Sequence, residues 1–137
     1  MIKEYLNREL WKNNENKYGK WVVVSKPNGN NYNEFMKMRL EVFLEDIADD
    51  IKIGEPTEKY HHYVYVFYCN YDDIEKHKKI IKFMMKKNLI AKTKTGTYYN
   101  ISYKLEDQTQ RGEYGDKFVP ILKLEDFIDL NTGKFII

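Results

Sequence analysis

The chain has 137 residues, 42% of them hydrophobic and 15% aromatic, enough for one buried core and too few for two ordinary ones. Its 23 Lys and Arg against 21 Asp and Glu leave a formal net charge of only +2, so overall charge does not mark a dedicated binder of duplex DNA, although a local basic patch is compatible with it. The single cysteine, Cys69, excludes an internal disulfide and a zinc site built on cysteines.

Cys69 lies in an apolar strand and reads as a packed thiol, which suits a reducing cytosol. No apolar run approaches the roughly 20 residues that span a bilayer. Lys3, Glu4, Arg8 and Glu9 interrupt the stretch where a signal-peptide core would lie. The expectation is a cytoplasmic protein without membrane contact. The wealth of Lys, Asn, Ile and Tyr fits the AT-rich genome of a microbe or its virus, and host cytoplasm if viral.

In chain order, Ile2, Tyr5, Leu6 and Leu10 fall at helical spacing with Trp11 beside them, before the polar stretch Lys12 to Lys17. This predicts a short amphipathic helix that docks on the body, within an extension over residues 1–18. Trp21-Val22-Val23-Val24-Ser25 is β-branched and apolar and predicts a strand, with a turn at Lys26 to Asn30. Asn33 is the expected N-cap of a helix whose apolar face carries Met36, Leu40, Phe43, Leu44, Ile47 and Ile51, with Glu41, Glu45 and Asp49 opposite. Ile51 to Ile53 form a short strand.

Residues 60–69, dense in Tyr, Val and Phe, predict the strongest strand, placed centrally in a sheet. Tyr63, Tyr65, Phe67 and Cys69 share one face with His61; Val64, Val66 and Tyr68 share the other with His62. Asp72, with Glu75 three residues on, resembles a capping box opening a second helix faced by Ile74, Ile81, Met84 and Met85 and ending near Asn88. Strands are expected over 89–94 and 97–104, the latter presenting Tyr98, Asn100, Ser102 and Lys104 on one face. Phe118 to Leu122 reads as a last strand and Leu124 to Leu130 as a helical turn stopped by Gly133. The sum is a single α+β domain, its core over 19–123 and a terminal segment over 124–137. A curved, mainly antiparallel sheet carries helices on one side.

The segment from Ile101 to Gly115 runs off a strand into a loop rich in hydrogen-bonding and basic groups. Together with Gly19-Lys20-Trp21, Lys52 and Tyr68 to Asp73, in that order along the chain, it resembles the family of the basophilic leukaemia expressed protein. Members of that family carry a Tyr-Lys-Thr-Asp-x-x-Thr-x-x-Gly segment, here Tyr103 to Gly112, with Leu105 where the family has Thr. The resemblance implies a fold similar to translation initiation factor 4E, the messenger-RNA cap-binding protein. It also implies a possible lyase, since some archaeal relatives are labelled phosphothreonine lyases.

A nucleotide pocket of the cap-binding kind needs an aromatic face, an edge-reading carboxylate or amide, and cations for phosphate. Trp11, Trp21 and Tyr98 are the stacking candidates, Asn100 and Glu106 the edge readers, and Lys52, Lys104 and Arg111 the phosphate cations. Thr109 and Tyr114 belong to the same loop as Arg111, whose guanidinium suits bidentate phosphate binding. Trp21 has a competing reading as a core residue beside Val23, and Lys52 and Lys104 as solvated strand lysines. Elimination of a phosphate would instead use Lys104 or Lys52 as base and His61 or His62 as acid, with His77 left structural.

No phosphate loop, nucleophile elbow or His-Glu-x-x-His pair occurs. Asp72 and Asp73 read as helix-capping charges, and no metal or cofactor is expected. Lys76, Lys78, Lys79, Lys82, Lys86 and Lys87 read as the solvated face of the second helix, or as an electrostatic contact for RNA. The leading expectation is a binding domain for a nucleotide or other phosphorylated ligand that sequesters a nucleotide signal or an RNA end. A lyase-like or phosphodiesterase-like enzyme and a viral or host protein-interaction module are the alternatives.

Overall fold

The computed structural model of the chain describes residues 17–25, 32–59, 61–106 and 122–137. Its strands are β1 (Tyr18–Ser25), β2 (Asp50–Gly54), β3 (Tyr63–Asn70), β4 (Ser102–Leu105) and β5 (Leu122–Lys123). Its helices are α1 (Tyr32–Leu44) and α2 (Ile74–Lys86). The strands form one antiparallel sheet in the order β2-β3-β1-β4-β5. The α+β class read from the sequence therefore holds. β3 is interior, as expected, but the middle strand is β1.

Alternation along β1 sends Gly19, Trp21 and Val23 to one face and Tyr18, Lys20, Val22 and Val24 to the other. Trp21 stands opposite Phe67 and Tyr103, and Val23 opposite Tyr65, so these buried side chains share the inner face. Both helices pack there. The Phe35 ring of α1 meets Tyr63 and Tyr65 at 5.0 and 6.5 Å, and α2 brings His77 to Trp21 at 5.9 Å and Phe83 to Phe67 at 5.8 Å. On the other face Val22, Val24 and Lys52 are exposed.

The inner face is organised around a buried polar contact. The Trp21 indole N–H donates to His77 Nδ1 at 2.9 Å, which fixes the neutral imidazole with its proton on Nε2, 2.7 Å from the Tyr71 carbonyl. Cys69 Sγ lies 3.5 Å from the same Nδ1, and burial pushes this thiol far above its ordinary pKa, so the packed-thiol reading stands. Tyr103 Oη donates to the Cys69 carbonyl at 2.5 Å. Burial also holds His77 below the ordinary histidine value of 6.5, against the opposing pull of the Tyr71 carbonyl and Asp73.

The unfolded chain therefore binds a proton at His77 more readily than the folded one. Stability from this site is complete above about pH 6.5 and declines as the pH falls below it. Urea denaturation from pH 7.5 to 5 is expected to show that decline, and His77→Gln is expected to flatten it.

Several local readings need correction. The helix over residues 33–50 ends at Leu44 and begins one residue before Asn33, at Tyr32. Asp46, in the left-handed region at φ 51°, reverses the chain, and the Ile47 amide returns to the Val42 carbonyl at 3.0 Å. Ile47 and Ile51, read as helix-face residues, lie beyond the helix, so their burial carries no information about its phase. Phe35 and Val42 are the buried residues, while Met36, Leu40, Phe43 and Leu44 point outward.

At α2, Asp73 rather than Asp72 is the cap, its Oδ1 accepting from the Lys76 amide at 3.1 Å; Asp72 pairs with Lys17 at 3.4 Å. The strands expected over 89–94 and 97–104 reduce to one bridge, Lys92 to Tyr98, around a turn at Gly96, plus β4. The terminal segment belongs to the core, since Leu124, Phe127 and Ile128 are buried beside Trp21 and His77. The expected amino-terminal helix, the turn at Lys26 to Asn30 and most of the strand at Phe118 to Leu122 lie outside the described residues.

Candidate anion-binding face

One transverse row on the face opposite α1 and α2 runs Asp50, Tyr68, Lys20, Lys104 across four strands, because Asp50 pairs with Tyr68, Tyr68 with Lys20 and Lys20 with Lys104. The next row holds Lys52, Val66 and Val22. The stretches Gly19-Lys20-Trp21 and Tyr103-Lys104, far apart in sequence, are thus side by side in space. Lys20 and Lys104 directly oppose one another, a like-charge placement that needs compensation. Glu106 supplies part of it, with Oε1 at 2.8 Å from Lys20 Nζ.

Lys52 Nζ sits 5.7 Å from the centre of the Tyr68 ring. Tyr68 in turn stacks on Tyr18 at 5.9 Å and 18°. Both tyrosines are buried, and burial first, then nearby carboxylates, raises their phenol pKa values. They support Lys52 from below.

Beside this row a groove of about 450 Å³ opens at the β2 edge, lined by Arg39, Lys52, Gly54, Ile53, Val64 and Val66, with Ile51. Arg39 comes from α1. Among the described residues, neither Arg39 nor Lys52 has an acidic partner. By contrast Lys17, Lys20, Lys37, Lys76, Lys86 and Lys87 are each paired with a carboxylate. A planar guanidinium with a fixed fork of donors, a point-charge ammonium and an aliphatic wall are the groups that an anion attached to an organic body would require.

Trp21 is fully buried with its N–H given to His77, so it is a core residue and not a stacking platform. Tyr98 and Lys104 do not share a face. The Ile101 amide turns back to the Tyr99 carbonyl at 3.0 Å, which breaks the alternation that would have linked them. Tyr98 packs over Gly133 and Met85 under Lys92, whose Nζ is 4.7 Å from its ring centre. Asn100 is occupied in a local contact, its Oδ1 accepting from the Glu125 amide at 2.9 Å.

Lys52 and Lys104 do share the face opposite α1 and α2. His61 and His62 precede β3 and are not governed by its alternation. Thr109, Arg111 and Tyr114, with Trp11, lie outside the described residues. The reading missed Lys20, whose position one residue before a core tryptophan already placed it on the opposite face. It also missed Arg39, for which a helix of misread phase gave no signal.

The lysine run on α2 is only partly a solvated face. Lys76 is largely buried between Asp46 and Asp49, at 2.9 and 3.2 Å. Burial alone would lower its pKa, but the two carboxylates outweigh that and hold it above the ordinary lysine value. Lys86 and Lys87 hold Glu41 at 3.5 and 3.1 Å.

Among the described residues, no group of three His, Cys, Asp or Glu is placed to hold a metal ion, and no helix is long and apolar enough to cross a membrane. No family model, curated protein or solved structure matches the chain.

Proposed function

We propose that this domain binds a phosphorylated small ligand, nucleotides included, in the groove at the β2 edge. The observation that carries the reading is the convergence of Arg39 and Lys52, two cations without carboxylate partners among the described residues, on one groove. Lys20, paired with Glu106, and Lys104 lie in the neighbouring row toward β4. The aliphatic wall of Ile53, Val64 and Val66 receives the organic part through burial of its apolar surface. Resemblance to a family similar in fold to a nucleotide-cap binder points the same way.

Binding without turnover is the better reading. Lys52 and Lys104, the two candidate bases, sit on strands separated by β3 and β1. At the usual strand spacing that places them roughly 14 Å apart, so one cannot act as base while the other holds the phosphate at the same bond.

Titration calorimetry at low salt with inorganic phosphate, AMP and ATP tests the reading. ATP should bind and be recovered intact. Because a charge-assisted hydrogen bond contributes roughly 1.5 to 3 kcal/mol, Lys52→Ala and Arg39→Ala should each weaken it about tenfold or more. Lys79→Ala, on the far layer, should leave affinity unchanged. Absence of heat with all three probes would contradict the proposal, as would equal weakening by Lys79→Ala.

A further inference from the structure

β2 is an end strand of the sheet: β3 pairs along one side of it and, among the described residues, no strand pairs along the other. In an antiparallel pair, every second residue turns its N–H and C=O away from the neighbouring strand. The Ile51 amide shows which residues these are, because it donates to Asp50 Oδ1 at 2.8 Å. Ile51 and Ile53 therefore face the open side, and Asp50, Lys52 and Gly54 face β3. The contact with Asp50 satisfies the Ile51 N–H, whereas the Ile51 carbonyl and both main-chain groups of Ile53 have no partner among the described residues.

Two cations border this open side. Lys52 projects from the face opposite α1 and α2, Arg39 arrives from α1, and both line the groove with Ile51 and Ile53. A row of unpaired N–H and C=O groups is matched by the extended backbone of another chain, and the two cations favour one that carries carboxylates.

We infer that the open side of β2 takes up an extended acidic polypeptide segment as an added strand, antiparallel like every other pair in the sheet. A carboxylate opposite Lys52 forms the opposite-charge cross-strand pair that stabilises such a ladder. The residues on either side of it fall on the face of Ile51 and Ile53, so the segment alternates acidic and apolar side chains. A second copy of β2 fits less well. The twofold register that sets Asp50 against Lys52 centres on Ile51, whose N–H is already given to Asp50. Centring it on Lys52 opposes two ammonium groups, and centring it on Ile53 leaves Lys52 opposite Gly54 with no charge partner. This inference does not rest on phosphate binding: it shares the two cations but depends on the main chain of β2, which a nucleotide does not pair with.

The test uses the full chain and a short peptide with blocked ends that alternates valine and glutamate. At saturating peptide, hydrogen exchange of the Ile53 amide should slow by roughly tenfold or more. Exchanging the glutamates for glutamines, or Lys52→Ala in the protein, should weaken binding severalfold. N-methylation of the valines, whose N–H groups face β2 in the antiparallel register, should abolish binding, while N-methylation of the glutamates should leave most of it. Binding without protection of the Ile53 amide, equal binding of the glutamine peptide, or no saturable binding would overturn the inference. So would protection of Ile53 that rises with protein concentration alone, which would assign the edge to a second copy. ATP binding beside any of these results would remove this inference and leave the phosphate reading standing; peptide pairing without ATP binding would do the reverse.

Discussion

Gly19→Ala should destabilise the fold by roughly 3 kcal/mol, at or beyond the upper end of ordinary overpacking. A Cβ at Gly19 would stand 2.6 Å from the Lys104 carbonyl oxygen and 2.6 Å from the ring carbon and hydroxyl of Tyr103. Neither neighbour can yield cheaply. The carbonyl belongs to the β1–β4 pairing, and the Tyr103 hydroxyl is held by the Cys69 carbonyl. The close approach of the Tyr103 side chain to a bare glycine backbone is what Gly19-Lys20-Trp21 and Tyr103-Lys104 have in common. Urea denaturation should find the cost, and adding Tyr103→Leu should make the double substitution less damaging than the sum of the two. A Gly19→Ala protein within 0.5 kcal/mol, on the order of a neutral surface change, would mean that β1 and β4 are not apposed in this way.

Trp21→Ala should lower stability by about 3 to 5 kcal/mol, as removal of a fully enclosed large aromatic does. Trp21→Phe retains most of the packing but leaves His77 Nδ1 without its donor, so an added loss of about 1 to 3 kcal/mol is expected from the unmet acceptor. Cys69 Sγ, 3.5 Å from the same nitrogen, tempers that loss if its thiol turns to donate. Under conditions where Trp21→Phe stays folded, its affinity for ATP should equal that of the parent chain. A selective loss of ATP affinity with little change in stability would return Trp21 to the ligand site.

The sheet was legible because its strands are built from alternating or β-branched residues whose pattern is local. Trp21 to Ser25, Ile51 to Ile53 and Tyr63 to Cys69 all fall in strands, and the inner and outer faces of β3 follow directly from parity. The reading failed where a short-range reversal reset the phase. Asp46 in its left-handed conformation separates Ile47 from α1, and the turn at Tyr99 to Ile101 separates Tyr98 from Lys104. Both reversals rest on backbone hydrogen bonds, which carry little side-chain signature.

The site was legible to the same degree. The face that Lys52 and Lys104 occupy was readable because strand alternation assigns a face to every lysine on a strand. Arg39 was not, because its contribution depends on how α1 is rotated over the β2 edge. That rotation is set by Phe35 against Tyr63 and Tyr65 and by Glu41 against Lys86 and Lys87. These are long-range contacts that no window of sequence contains.

The most direct measurement of the proposed function is a map of amide and side-chain chemical shifts during titration with ATP. The largest changes should fall on Lys52, Gly54, Val64, Val66 and the Arg39 guanidinium, with smaller ones at Lys20 and Lys104, and Lys52→Ala should suppress the set together. Shifts concentrated on the exposed lysines Lys79, Lys82 and Lys86 of α2, or no saturable shifts at all, would contradict an anion-binding groove at the β2 edge.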